Sequence, residues 1–278
     1  MIEGRPSRTA QHNALFRALE AAQPRPLFSD PWARRLLRGR YRLAGLLPAR
    51  ALARFIDRHW PGPRAAVCVR TRYIDDAVVD LVAEGLDQLV ILGAGFDARA
   101  QRLPDLRQVR VYELDHPSTQ AVKRAAVGRA GAPVRYVPID FGRERLESVL
   151  DDAGVAPDAR TLFLWEGVTN YLDEVSVDGT LRTIAARGTQ AIVTYVDRAL
   201  LDGAREFAGG RESLAHVRSL GEPFTFGLDP ATLPTYLEAR GLRLLEDHAL
   251  SDVATRYYGD DCPPVSSYYH VVRARCRG

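Results

Sequence analysis

The chain has 278 residues, 46% of them hydrophobic and 26% charged, which suits a globular protein with one large domain, or a domain and a cap. Cys68, Cys262 and Cys276 are odd in number and widely spaced, which excludes a disulfide framework and a zinc motif and fits a reducing cytoplasm. The formal charge of +3, nearly all arginine because Lys123 is the only lysine, reads as spread along the chain with no basic stripe for nucleic acid, and no apolar run approaches the ~20 residues of a membrane span.

The first 88 residues read as a helical cap. Leu15, Phe16, Leu19 and Ala22 share one helical face, and Pro24 and Pro26 end that helix. Ser29-Asp30-Pro31 reads as a cap with proline at the first helical position, opening a short helix through Leu37. Further helices are predicted over 49–59, ending at Pro61-Gly62-Pro63, and over 66–83, with Val69, Tyr73, Ala77, Asp80 and Leu81 in the repeat. From residue 89 short apolar strands alternate with helices, the pattern of βαβ units on a parallel sheet. The predicted strands are 89–92, 109–114, 134–138, 161–165, 191–196, 242–247 and 268–274. The last two read as an antiparallel hairpin at the sheet edge, with no helix between them. Residues 199–235 lack clean periodicity and read as an inserted lid or substrate-binding segment. The expected division is a cap over 1–88 and a Rossmann-like domain over 89–278.

Chemistry gathers where the strands end. Residues 89–99, Leu-Val-Ile-Leu-Gly-Ala-Gly-Phe-Asp-Ala-Arg, run from a buried strand into a turn in which Gly93 and Gly95 let backbone approach a ligand. The second strand ends in Glu113 and Asp115, 18 and 20 residues after Gly95, the spacing of an acid that accepts from ribose hydroxyls. Asp140 and Phe141 follow the third strand, a carboxylate and a ring suited to an adenine's amino group and face. Glu166 follows the fourth. Acids after three successive strands predict a nucleoside site. A nicotinamide enzyme shares this pattern, so an NAD(P)-dependent oxidoreductase is the alternative. Phe96 and Asp97, where a pyrophosphate would approach backbone, favour a sulfonium amino acid instead.

Seven stretches occur in order: 4–10 (Gly-Arg-Pro-Ser-Arg-Thr-Ala), 28–31 (Phe-Ser-Asp-Pro), 69–73 (Val-Arg-Thr-Arg-Tyr), 92–99, 112–117 (Tyr-Glu-Leu-Asp-His-Pro), 165–172 (Trp-Glu-Gly-Val-Thr-Asn-Tyr-Leu) and 222–228 (Glu-Pro-Phe-Thr-Phe-Gly-Leu). Together they resemble the leucine carboxyl methyltransferase family, especially its bacterial S-adenosylmethionine-dependent O-methyltransferases of secondary metabolism. The resemblance implies a Rossmann-like class I methyltransferase fold, with seven mostly parallel strands, an antiparallel last strand and an N-terminal helical cap. It implies S-adenosylmethionine as cofactor, leaving S-adenosylhomocysteine, and an oxygen of a small-molecule or peptide acceptor, with a carboxylate favoured. By the same resemblance Arg72 pairs with the methionine carboxylate, and Gly93, in the turn with Gly95, lies under the methionine portion. Asp115 holds the ribose beside its neighbour Glu113, Asp140 and Phe141 frame the adenine, and Glu166 faces the amino group.

Methyl transfer from a sulfonium is an in-line displacement, so alignment and exclusion of water carry most of the work. A carboxylate is already ionised at pH 7, whereas a phenol gains from a base. His116 and His270 are candidates for that base, and Tyr73 and Tyr171 are candidates for the pocket. No metal is expected, because no metal-ligand cluster is visible, and neither nucleic acid nor membrane is expected as a partner.

Overall fold

Seven strands form one sheet in the order β3-β2-β1-β4-β5-β7-β6: β1 (Gln88–Leu92), β2 (Arg110–Asp115), β3 (Val134–Pro138), β4 (Thr161–Trp165), β5 (Gln190–Val196), β6 (Leu242–Ala249) and β7 (Tyr269–Cys276). The computed structural model describes residues 8–128, 133–141 and 143–277; residues 4–7 of the first matching stretch lie outside them. Strands β1 to β5 pair in parallel, and β7 runs antiparallel to both β5 and β6. The expected mixed α/β fold is the observed one.

Each central strand buries both faces, as parallel strands covered on two sides must. Alternation sends Leu89 and Ile91 to one layer and Val90 and Leu92 to the other. Ahead of the sheet lie α1 (Arg8–Ala21), α2 (Ala33–Leu36), α3 (Gly39–Ala44), α4 (Ala49–His59) and α5 (Pro63–Ala83). Asp30 accepts from the amides of Trp32 (3.1 Å) and Ala33 (2.9 Å) where the chain enters α2. Helix α5 packs Val69, Ile74, Val78 and Leu81 directly on Leu89 and Ile91, so it covers the sheet while α1 to α3 pack around a smaller core with Phe96. The crossovers carry α6 (Arg99–Arg102), α7 (Pro117–Val127), α8 (Leu146–Asp152) and α9 (Glu174–Arg187). After β5 come α10 (Arg198–Leu201), α11 (Gly210–Ser219) and α12 (Leu233–Glu238), and α13 (Leu250–Tyr258) links β6 to β7.

Two expectations are corrected. The last strands are antiparallel but do not form an edge hairpin. Strand β7 lies inside the sheet with β6 at its edge, and α13 stands between them. Its buried positions Leu250, Val253 and Ala254 have helical spacing, but no glycine or proline separates it from β6, so the boundary carries no punctuation. The charge is not evenly spread either. Residues 33–59 hold eight arginines and one acid, Asp57, a net +7, in a chain of +3 overall; the remainder therefore stands at −4.

Candidate active site

Parallel strands deliver their carboxyl ends to one edge, and the strand order reverses between β1 and β4, which opens a crevice there. A cavity of about 440 Å³ fills it. Gly93 and Gly95 come from the end of β1, Asp115 and His116 from β2, Asp140 and Phe141 from β3, and Glu166 from β4, while Tyr171 closes one side. Gly93 has φ +64°, and a Cβ there would stand 2.4 Å from Val168 Cγ2, so both conformation and space require glycine. Asp115 accepts from the backbone N–H of Gly95 and of His116 (2.6 Å). Burial raises its pKa above the ordinary aspartate value against the pull of those two amides.

Behind the cavity lies a buried ionic cluster. Glu166 accepts from Arg70 Nε and Arg99 Nη1, both at 2.7 Å. Arg99 also bonds Asp75 (2.8 Å) and Asp97, and Asp75 holds Arg102 at 2.6 Å. Burial works to raise the Glu166 pKa, but Arg99 and then Arg70 override it and take the carboxyl below its usual value. The same contest ends with Asp97 lowered to about 2, chiefly by Arg99. Arg70, Arg99 and their carboxylates are thus fixed as charges before any ligand arrives. Neither arginine has an assigned role in the sequence reading, although both lie inside matching stretches, 69–73 and 92–99.

Several expected residues stand elsewhere. Arg72 lies on the outer side of α5, half-exposed, paired with Asp76 (2.8 Å) and donating to the Leu27 carbonyl (2.7 Å). It does not border the cavity, whereas Arg70 does. Tyr73 points into the sheet layer, where its hydroxyl donates to Glu246 (2.6 Å). Glu113 shares a strand face with Asp115 but sits deeper, bonded to the buried Lys123 on α7. Burial pushes its carboxyl up to about 7 even so, opposed by Lys123. His270 stacks on Tyr195 (ring centroids 4.8 Å) and contacts Asp247 at 3.1 Å, away from the cavity. His116 borders it, but the ring's Nδ1 contacts Ser118 Oγ (2.8 Å) and caps α7.

A smaller chamber of about 80 Å³ adjoins the cavity, and Thr9, Asn13, Arg70, Gly167 and Tyr171 border both. Its walls are aromatic: Phe16, Trp60, Phe224, Tyr268 and Tyr269, with His12 and His216 edge to face at 4.8 Å. Trp60 and Tyr268 both donate to Ser213 Oγ, at 3.0 and 2.7 Å, which fixes their orientation. Burial, then His216 and nearby arginines, lowers the His12 pKa to about 4; burial, then Arg40 and Arg8, also lowers that of His216. Helix α11 supplies Ser213, His216 and Val217. Glu222 follows it and accepts from the Arg8 and Thr9 amides (3.2 and 3.1 Å). That carboxylate at the N-terminus of α1 ties the 199–235 segment to the first helix. Nothing in the sequence pairs His12 with His216 across 204 positions.

The sequence profile of the leucine carboxyl methyltransferase family matches residues 10–185, more than half of the chain. The chain belongs to that family. A relative from Mycolicibacterium gilvum, provisionally named an S-adenosyl-L-methionine-dependent methyltransferase, is 34% identical over 80% of this chain and 73% of its own length. Another from Frankia alni, named in the same provisional way, is 32% identical over 64% of this chain and 63% of its own. Among solved structures, a DUF574 family protein of Streptomyces avermitilis superposes over 99% of both chains with TM-score 0.64 and 13% identity. A methyltransferase assigned provisionally in Thermobifida fusca covers all of this chain and 97% of its own, with TM-score 0.61 and 14% identity. Those two likenesses concern the fold. Membership of the leucine carboxyl methyltransferase family makes the chain an S-adenosylmethionine-dependent methyltransferase and sets aside the nicotinamide reading. Charge at the glycine turn does not decide that choice, because Asp97 is already neutralised by Arg99.

Proposed function

We propose that this family member methylates an oxygen, a carboxylate in the first place, of an aromatic or apolar small-molecule or peptide acceptor seated in the chamber. The observation that carries the reading is the shared wall: five residues border cavity and chamber alike, so groups held in each meet there. The cavity's donor set fits S-adenosylmethionine. Asp115 would accept from ribose hydroxyls, Asp140 and Phe141 would flank the adenine, and the backbone at Gly93 and Gly95 would lie under the amino-acid portion. Arg70 takes the role expected of Arg72, a fixed cation for an amino-acid carboxylate. Glu166 keeps a second lone pair on each oxygen for an amino group. When bound, the cofactor supplies an electrophilic methyl on sulfur.

The chamber's own residues favour an acceptor that is already an anion. His12, depressed to about 4, is a weak base, and Tyr171 keeps its proton because burial raises its pKa far above the usual phenol value. Of the described residues lining the chamber, none is an acid and Arg70 is cationic. An aromatic carboxylate would therefore need alignment and a dry wall, with no proton transfer. Segment 199–235, tied down through Glu222, is read as the lid that completes that wall.

Calorimetric titration with S-adenosylhomocysteine and with NADH tests the cofactor, and binding of NADH alone would end the reading. Labelled cofactor offered with matched aromatic acids and phenols tests the acceptor. The expected product is an ester whose label is released by alkali. Alkali-stable ethers formed from phenols, with acids unlabelled, would transfer the site to hydroxyl chemistry.

A further inference from the structure

Four of the five exposed large apolar side chains among the described residues fall in one short segment: Leu43, Leu46, Leu47 and Phe55. The same segment, 33–59, holds the chain's +7 excess. All eight of its arginines are exposed, and among the described residues none of the eight forms an ion pair. Asp57, its acid, is taken by Arg64 at 2.7 Å. Elsewhere surface arginines find carboxylates, as in Arg182–Asp178, Arg211–Glu206 and Arg277–Glu238. Arg38, Arg40 and Arg42 precede the apolar turn at 43–48, and Arg50, Arg54 and Arg58 follow it in one row along α4, beside Phe55.

We propose that this face of the cap docks on an anionic lipid surface, with the leucine turn and Phe55 entering the interface and the flanking arginines on the headgroups. A basic row beside exposed leucine and phenylalanine is the pattern of interfacial amphipathic segments, and clusters of four to eight cations suit anionic headgroups. A second copy of the chain would bring two unpaired arginine clusters together. Nucleic acid would engage the arginines but leave the leucines in water. The leucines protrude, 54–68% exposed, as suits a fluid interface into which each can sink. The placement also serves the site: Trp60, which caps α4, walls the chamber, and Tyr41 of α3 packs on His12 at 4.9 Å. Docking would hold the chamber beside the lipid surface, where apolar acceptors partition. The proposal is independent of the methyl-transfer reading.

Co-sedimentation of the full chain with phosphatidylcholine vesicles, with and without phosphatidylglycerol, tests it. Binding is expected only with the anionic lipid, weakening as salt is added. The triple variant Arg50→Glu/Arg54→Glu/Arg58→Glu should lose on the order of a hundredfold or more in partitioning, and Leu46→Asp/Leu47→Asp at least about tenfold. All these residues are exposed, so circular dichroism melts should match the wild type. Equal binding to neutral vesicles, or no loss in either variant, overturns the proposal. Retention on soluble poly-glutamate without vesicle binding also overturns it and gives the face to an acidic protein.

Discussion

Arg70 and Arg72 stand two residues apart on α5 and so about 200° apart around its axis. One reaches the cavity and Glu166; the other reaches solvent and Asp76. Arg70→Gln should weaken S-adenosylhomocysteine binding by about 10- to 100-fold, the loss of hydrogen bonds to a charged group. Arg72→Gln should leave it within about twofold. Titration calorimetry decides between them, and equal losses would mean that α5 is turned differently. That Asp115, Asp140, Phe141 and Glu166 end their strands at one cavity was legible, because a sheet's carboxyl edge is set by topology alone. The choice of arginine was not. Helix α5 buries residues on nearly every side, so its apolar pattern gives no phase from which to tell inward from outward. Glu113 was misread for a related reason. Alternation puts it on the face of Asp115, but depth along the strand, and a lysine ten residues on, decide that it is a buried ion-pair member.

At the scale of elements, the turn after β1 is the place where sequence and geometry agree most closely. Gly93→Ala has two faults, a left-handed backbone for a residue with Cβ and a collision with Val168. Each is of the kind that costs about 1–3 kcal/mol. Urea unfolding should show Gly93→Ala destabilised by about 2–4 kcal/mol, with Gly93→Ala/Val168→Ala closer to wild type than the sum of its parts. Strict additivity would show that the contact with Val168 does not matter. The strands themselves were legible to within a residue or two, because apolar runs bounded by glycine, proline and acids have few other readings. Helix α3 was not, since Tyr41 is the residue it buries and a single buried position has no period. Helix α11 is a similar case: it buries Gly210, Ser213 and Val217, too few for a clear period, and it walls the chamber.

Across the whole molecule, buried charge couples stability to pH in opposite directions at different depths. Asp97 and Glu166 are depressed by their arginines, so their stabilisation is present above the ordinary carboxylate range and is lost as pH falls through their lowered values. Glu113, raised to about 7, favours the folded state below its unfolded value of 4.5, and that contribution is lost as pH rises through 7. His12 belongs to the first group. Its imidazole falls from 6.5 unfolded to about 4 folded, so its stabilisation is complete above pH 6.5 and gone by pH 4. None of this coupling is legible in the sequence, because it depends on which residues of the N-terminal helices, the strands and α11 the fold brings together. The histidine contribution can be isolated by subtraction. The unfolding free energy of wild type minus that of His12→Asn, measured by urea titration at a series of pH values, should be flat above pH 7. Between pH 6.5 and 4 it should fall by about 2–3 kcal/mol, after allowance for the ring's partial exposure. A difference that is constant across that interval would mean the chamber is wet enough for His12 to titrate as it does in water, and the case for an acceptor needing no base would lose its support.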